Sequence, residues 1–156
     1  MRLYLVRHGR ALPKDENPEQ PLSPGGREDV ERMASFLARS GIRPARVFHS
    51  GKTRAAETAL VLSTTLGAGH LVEEMTGLSP MDDPRPLIQA ARTWADDVMV
   101  VGHNPFMERT VSRLLTRGGE GPPVAAFPTA AVCCLERLDD ATWVMRWHAS
   151  PALLGG

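Results

Sequence analysis

The sequence predicts an α/β fold, a single domain over residues 1–156 built as a three-layer α/β/α sandwich around a mostly parallel, mixed sheet. Three observations carry this prediction. Short apolar runs at residues 2–6, 46–49 and 98–101 alternate with longer segments of helical period. Each run leads into polar residues suited to an anion: Arg7-His8-Gly9, the stretch ending in Arg54, and Gly102-His103-Asn104-Pro105. Two last apolar runs, at about 130–136 and 142–148, are separated by Asp139-Asp140 and read as a hairpin, which makes the sheet mixed.

The elements follow in order. Residues 2–6 form a buried strand, and residues 10–22, with Pro13, Pro18 and Pro21, form a polar loop. Ser23-Pro24 supplies a cap and a first-turn proline for a helix whose inner face is Val30, Met33, Ala34, Leu37 and Ala38, with Gly41 ending it. After Pro44 comes a strand at 46–49, then a helix from about 52 to 66 closed by Gly67. Residues 70–73 are a short strand candidate, 77–84 a loop, and about 85–95 a helix before the strand at 98–101. Asn104-Pro105 reads as an N-cap and first helical proline for a helix carrying Phe106, Val111, Leu114 and Leu115. Gly118 to Pro123 is a loop.

Composition narrows the class. A chain of 156 residues buries roughly two thirds of its unfolded surface, enough for one core. Its 18 basic and 18 acidic side chains cancel, so no overall field draws it to nucleic acid or an anionic membrane. Cys133 and Cys134 are adjacent and point to opposite faces of a strand, which disfavours a disulfide between them. No spaced cysteine pattern suggests a disulfide framework or zinc site, and reduced thiols fit the cytoplasm. Leu3-Tyr4-Leu5-Val6 is too short for a signal peptide, and no segment approaches a membrane span.

The residues at the strand ends suit phosphoryl chemistry. A histidine attacks phosphorus only as neutral imidazole with its other ring nitrogen held, and only where the phosphoryl charge is screened. His8 meets the first requirement by position, and Arg7 and Arg54 supply fork-shaped donors that a lysine would match less well. His103 precedes a helix start and can stabilise charge on the phosphoryl oxygens. Brought to one edge of a sheet, these four define a phosphate-binding and catalytic set.

These motifs resemble the histidine phosphatase superfamily, which includes phosphoglycerate mutases and acid phosphatases. The resemblance rests on Leu5-Val6-Arg7-His8-Gly9, on His49-Ser50-Gly51-Lys52-Thr53-Arg54-Ala55-Ala56-Glu57-Thr58-Ala59, and on Val101-Gly102-His103-Asn104-Pro105. It implies that His8 is phosphorylated in turnover, that Arg7, Arg54 and His103 complete the phosphate pocket, and that no cofactor is needed. The chain is most similar to the small phosphohistidine phosphatases of the SixA type, through Pro21-Leu22-Ser23 with Gly26, Leu78-Ser79-Pro80 with Asp83, and Phe127-Pro128-Thr129-Ala130. Gln20 stands where such relatives often have arginine.

Ester hydrolysis also needs an acid to protonate the leaving oxygen. Glu73, Glu74, Asp82 and Asp83 are the candidates, and Asp83 matches the phosphohistidine phosphatase pattern best. A phosphoramidate nitrogen is basic and asks less of such an acid. The short chain leaves little for a lid, so the expected substrate is phosphohistidine on a phosphorylated protein, with a small phosphate ester as the alternative. A catalytically weak phosphate-binding regulatory module is the rival outside enzymes. His49, His70 and His148 read as structural or exposed, Trp94, Trp143 and Trp147 as packing residues, and the Ser50 and Thr53 hydroxyls as phosphate donors or caps.

Overall fold

The computed structural model describes residues 1–119 and 121–155, with His70 described by its backbone alone. β1 (Arg2–Arg7) buries Leu3, Tyr4, Leu5 and Val6 on both its faces, as a central strand must. It pairs in parallel with β4 (Val98–Gly102) and antiparallel with β5 (Val132–Arg137). β2 (Arg46–His49) lies between β4 and the three-residue edge strand β3 (Val72–Glu74), while β6 (Trp143–Ala149) closes the other edge beside β5. The order is β3-β2-β4-β1-β5-β6, in which the first four strands run parallel; a mostly parallel, mixed sheet is what the sequence predicts.

Four helices cover the two faces. α1 (Pro24–Arg39) and α2 (Thr53–Leu66) bury Val30, Met33, Ala59 and Leu62 against Tyr4, Val6, Met99 and Val101. α3 (Arg85–Thr93) and α4 (Phe106–Leu115) bury Leu87, Ala91, Phe106 and Val111 against Leu3, Leu5, Val98 and Val100. The alternation of inward side chains along β1 thus feeds two cores. The chain steps from β1 to β2 to β3 with its helices on one face and returns to β4 with α3 on the other, consistent with right-handed crossovers.

Local signals acted largely as read. Ser23 caps α1, its hydroxyl accepting the Gly26 amide, and Gly67 ends α2 in the left-handed conformation. Two boundaries differ. A 3₁₀ turn at Gly69–Leu71 occupies the first half of the expected strand at 70–73, so β3 begins at Val72. α4 starts at Phe106 with Pro105 at the cap position, not with Asn104 as its N-cap. The Asn104 amide donates instead to the Phe127 carbonyl, at 3.0 Å, and to Glu108 Oε1, at 3.3 Å. Among the described residues no helix is long and apolar enough to cross a membrane.

Candidate active site

Strand register sets the site. Arg7 pairs with Gly102 across β1 and β4, so His8 and His103 leave neighbouring strands side by side, with ring centroids 5.0 Å apart. His49 pairs with Val101 and with Glu74, which brings the β2–α2 turn and the end of β3 to the same edge. Arg54 enters from the first turn of α2, its Nε 3.4 Å from His8 Nε2. The four predicted residues Arg7, His8, Arg54 and His103 therefore share the carboxyl edge of the parallel strands, where open α/β sheets hold ligands.

Hydrogen bonding fixes the state of His8. Its Nδ1 lies 2.7 Å from the Gly9 carbonyl, which only accepts, so Nδ1 carries the proton and Nε2 keeps its lone pair. Arg54 Nε donates toward that lone pair. Burial, opposed by the Gly9 carbonyl and reinforced by Arg54 and Arg7, lowers the His8 pKa to about 4. Burial and then the neighbouring His8, Arg54, Lys52 and Arg7 lower that of His103 to about 3.

A pH dependence follows. Both rings stay neutral down to the acid range, so the acid limb of kcat/KM is expected near pH 4 rather than at the ordinary histidine value of 6.5. An inflection at 6.5 in a pH–rate profile would contradict this. Between pH 6.5 and about 4 the unfolded chain takes protons on these histidines that the fold refuses. Stability therefore falls with pH through that window, by about 1.4 kcal/mol per pH unit for each ring that stays neutral. Urea titrations at several pH values check the slope.

The arginines are held from behind. Arg7 Nη1 donates to the Phe127 carbonyl at 2.8 Å, and its buried Nε meets no protein acceptor, leaving that donor free for an anion. The same carbonyl accepts from Asn104, whose amide also contacts Glu108, and the Glu108 charge offsets part of the desolvation of Arg7. His148 fastens this segment from β6: its Nε2 lies 2.5 Å from the Ala126 carbonyl and its ring meets Phe127 edge-on. The structural reading of His148 thus holds, and His49 likewise serves its own turn, Nδ1 accepting from the Gly51 amide.

Two hydroxyls tie the parts together. Thr58 accepts the Gly9 amide at 3.0 Å and donates to the Arg54 carbonyl at 2.7 Å, linking the loop after β1 to α2. Thr58→Val keeps the volume and strands the buried Gly9 amide, so a loss of about 1–3 kcal/mol in stability is expected, together with slower turnover. Thermal denaturation and kcat on one preparation check both. Ser50 Oγ lies 2.6 Å from His103 Nε2.

The acid candidates separate. Asp83 is clamped by Arg85, through Nη2 at 2.6 Å and Nε at 2.8 Å, with the Arg85 amide also donating to it. Those bonds lower its pKa to about 2 and favour its charged form. Asp82 caps the Ser79 amide and Glu73 pairs with Arg46. Glu74 alone leans over the β2–α2 turn: Gly51 sits there at φ +90°, and any side chain on it would collide with the Glu74 carboxylate. Gln20 donates to the Leu12 carbonyl within its own loop. Gly26 lets the Arg10 backbone approach α1 so closely that a Cβ there would fall 2.0 Å from the Arg10 oxygen.

Solved structures share this architecture. The protein histidine phosphatase SixA complexed with tungstate superposes with a TM-score of 0.86 at 24% identity, covering 99% of this chain and 100% of its own. SixA from Agrobacterium tumefaciens gives 0.78 at 24% identity over 96% and 97% of the two chains. A mycobacterial glucosyl-3-phosphoglycerate phosphatase gives 0.74 at 18% identity over 96% and 99%. No curated protein matches the chain in sequence. At these identities the solved structures speak for the fold, while the sequence model of one family reaches further. That model, the histidine phosphatase superfamily (branch 1), matches residues 3–82, just over half of the chain and the half that carries Arg7, His8 and Arg54, so the chain belongs to this superfamily.

Proposed function

We propose that this protein is a phosphatase that passes a phosphoryl group through His8 to water and acts on phosphohistidine carried by another protein. The observation that carries the reading is the fixed lone pair of His8 Nε2, facing Arg54 with the His103 ring alongside. In the first step Nε2 forms a bond to phosphorus while the bond from phosphorus to the substrate nitrogen breaks. The released electron pair stays on that nitrogen, which takes up a proton from solvent. Arg7, Arg54 and His103 hold the three non-bridging oxygens. In the second step a water oxygen attacks phosphorus, the bond to Nε2 breaks and its electron pair returns to the imidazole. Both water protons leave on the dihydrogen phosphate, which gives one back to solvent.

Two features favour phosphohistidine over esters. The chain and the protein histidine phosphatase SixA align over 99% and 100% of their lengths, with a TM-score of 0.86 against 0.74 for the glucosyl-3-phosphoglycerate phosphatase. The predicted acid Asp83 is paired with Arg85, which favours its carboxylate form. Glu74, beside the Ser50–Gly51 turn, supports a second reading in which small phosphate esters are also hydrolysed. Accordingly, Asp83→Asn is expected to leave ester hydrolysis within about 2-fold, and Glu74→Gln to lower it by about 10²-fold with a smaller loss on phosphohistidine. Parallel kinetics on the two substrate classes separate these outcomes.

The deciding experiment compares kcat/KM on a phosphohistidine-bearing protein with that on a panel of small phosphate esters. A strong preference for the protein supports the reading. Preference for an ester assigns a small-molecule phosphatase, and binding without turnover assigns a regulatory module.

A further inference from the structure

Six arginines, Arg10, Arg27, Arg32, Arg46, Arg85 and Arg146, each meet a carboxylate. A cluster around α4 does not. Among the described residues Arg92, Arg109, Arg113 and Arg117 lie within ion-pair distance of no carboxylate. Arg109 and Arg113 stand one turn apart on α4, where like charges repel, and Arg117 follows just past the helix end. Asp83 acts on Arg113 only at longer range and is itself held by Arg85, while Arg109 donates to the Asp82 carbonyl.

These side chains line a continuous groove. A cleft of about 380 Å³ lies between Arg109 and Arg113, and Arg113 also lines the next cleft, of about 370 Å³, with Arg92 and Arg117. Ile88, Leu114, Leu115 and Trp143 add apolar surface to the second, among its arginines and threonines. At its other end Arg109 shares a smaller cavity with Pro105, two residues from His103. Sharing Arg109 and Arg113 in turn, the three clefts adjoin one another along α4.

We infer that this groove docks an acidic segment of the phosphorylated partner protein, its carboxylates on the arginine row and an apolar side chain beside Trp143. The inference rests on the protein-phosphohistidine reading above. Charge complementarity argues for the occupant, because a row of like charges that weakens the fold is relieved by an acidic segment. A nucleic acid fits less well: the chain carries no net charge, and a phosphodiester backbone has nothing to place on that apolar surface.

The test reverses the row in the full chain with R109E/R113E/R117E, with R109Q/R113Q/R117Q as a milder variant and thermal denaturation to confirm folding. The first readout is the affinity of a fluorescein-labelled octaglutamate peptide with one central leucine, at low and at roughly 0.3 M salt. Wild type is expected to bind it in a salt-sensitive manner, and charge reversal to weaken it by about 10-fold or more. The second is kcat/KM, expected to fall about 10-fold on a phosphohistidine-bearing protein and to stay within about 2-fold on free phosphoramidate. Equal peptide affinity in wild type and variants overturns the inference, as does tighter binding of a single-stranded oligonucleotide than of the peptide. Peptide binding lost on charge reversal, in an enzyme that turns over only small esters, supports the groove and overturns the substrate reading.

Discussion

Replacing His8 with alanine is expected to abolish the phosphoenzyme and to lower turnover by at least about 10⁴-fold, the scale on which losing a covalent nucleophile acts. The ring is nearly buried and anchored through Nδ1 to the Gly9 carbonyl, so alanine removes packing as well as chemistry. His8→Asn separates the two effects. Its amide can still donate to that carbonyl, while no nucleophilic nitrogen remains. Both variants should bind inorganic phosphate, because Arg7 and Arg54 are untouched. The measurement is trapping of labelled enzyme at alkaline pH, where a phosphoramidate survives, alongside steady-state rates. Labelled His8→Asn protein would remove His8 from the role of nucleophile.

Arg54→Ala is expected to cost about 10²–10³-fold in kcat/KM, the usual effect of deleting one preorganised donor to a charged transition state. Arg54 touches His8 Nε2 and is only half-buried, so folding should be little changed. Arg54→Lys should recover a small part of the loss, since an ammonium restores charge without the planar fork. Substrate and vanadate affinities, measured with the rates, show whether the loss lies in the ground state or the transition state. A decrease below about 10-fold would place Arg54 outside the phosphoryl pocket.

Much of this was legible in the sequence because local rules and tertiary demands agree. Ser23-Pro24 caps α1 as its chemistry dictates, and the apolar runs at 2–6, 46–49 and 98–101 are strands because parallel strands are buried on both faces. Arg7, His8, Arg54 and His103 announce themselves by standing at or just past strand ends. What stayed hidden depends on distant contacts. Asn104 looks like a cap, yet the carbonyl of Phe127, 23 residues away, competes for its amide. Thr58 reads as one more helix residue until the Gly9 amide arrives from β1. Asp83 reads as a plausible acid because nothing in sequence says that Arg85, two residues on, folds back to hold it.

The spacing of the two histidines has a wider meaning. They are separated by one step of the sheet, about 4.8 Å, so the ruler for the chemistry is the backbone ladder between β1 and β4. That ruler is indifferent to the loops around it, which frees the rim to be rebuilt while the distance between the two rings stays constant. It is intolerant of sliding. Slipping β1 by a single residue against β4 would turn His8 to the opposite face. Residues such as Leu5 and Val100, which hold the register and touch no substrate, therefore guard the reaction as closely as the histidines do.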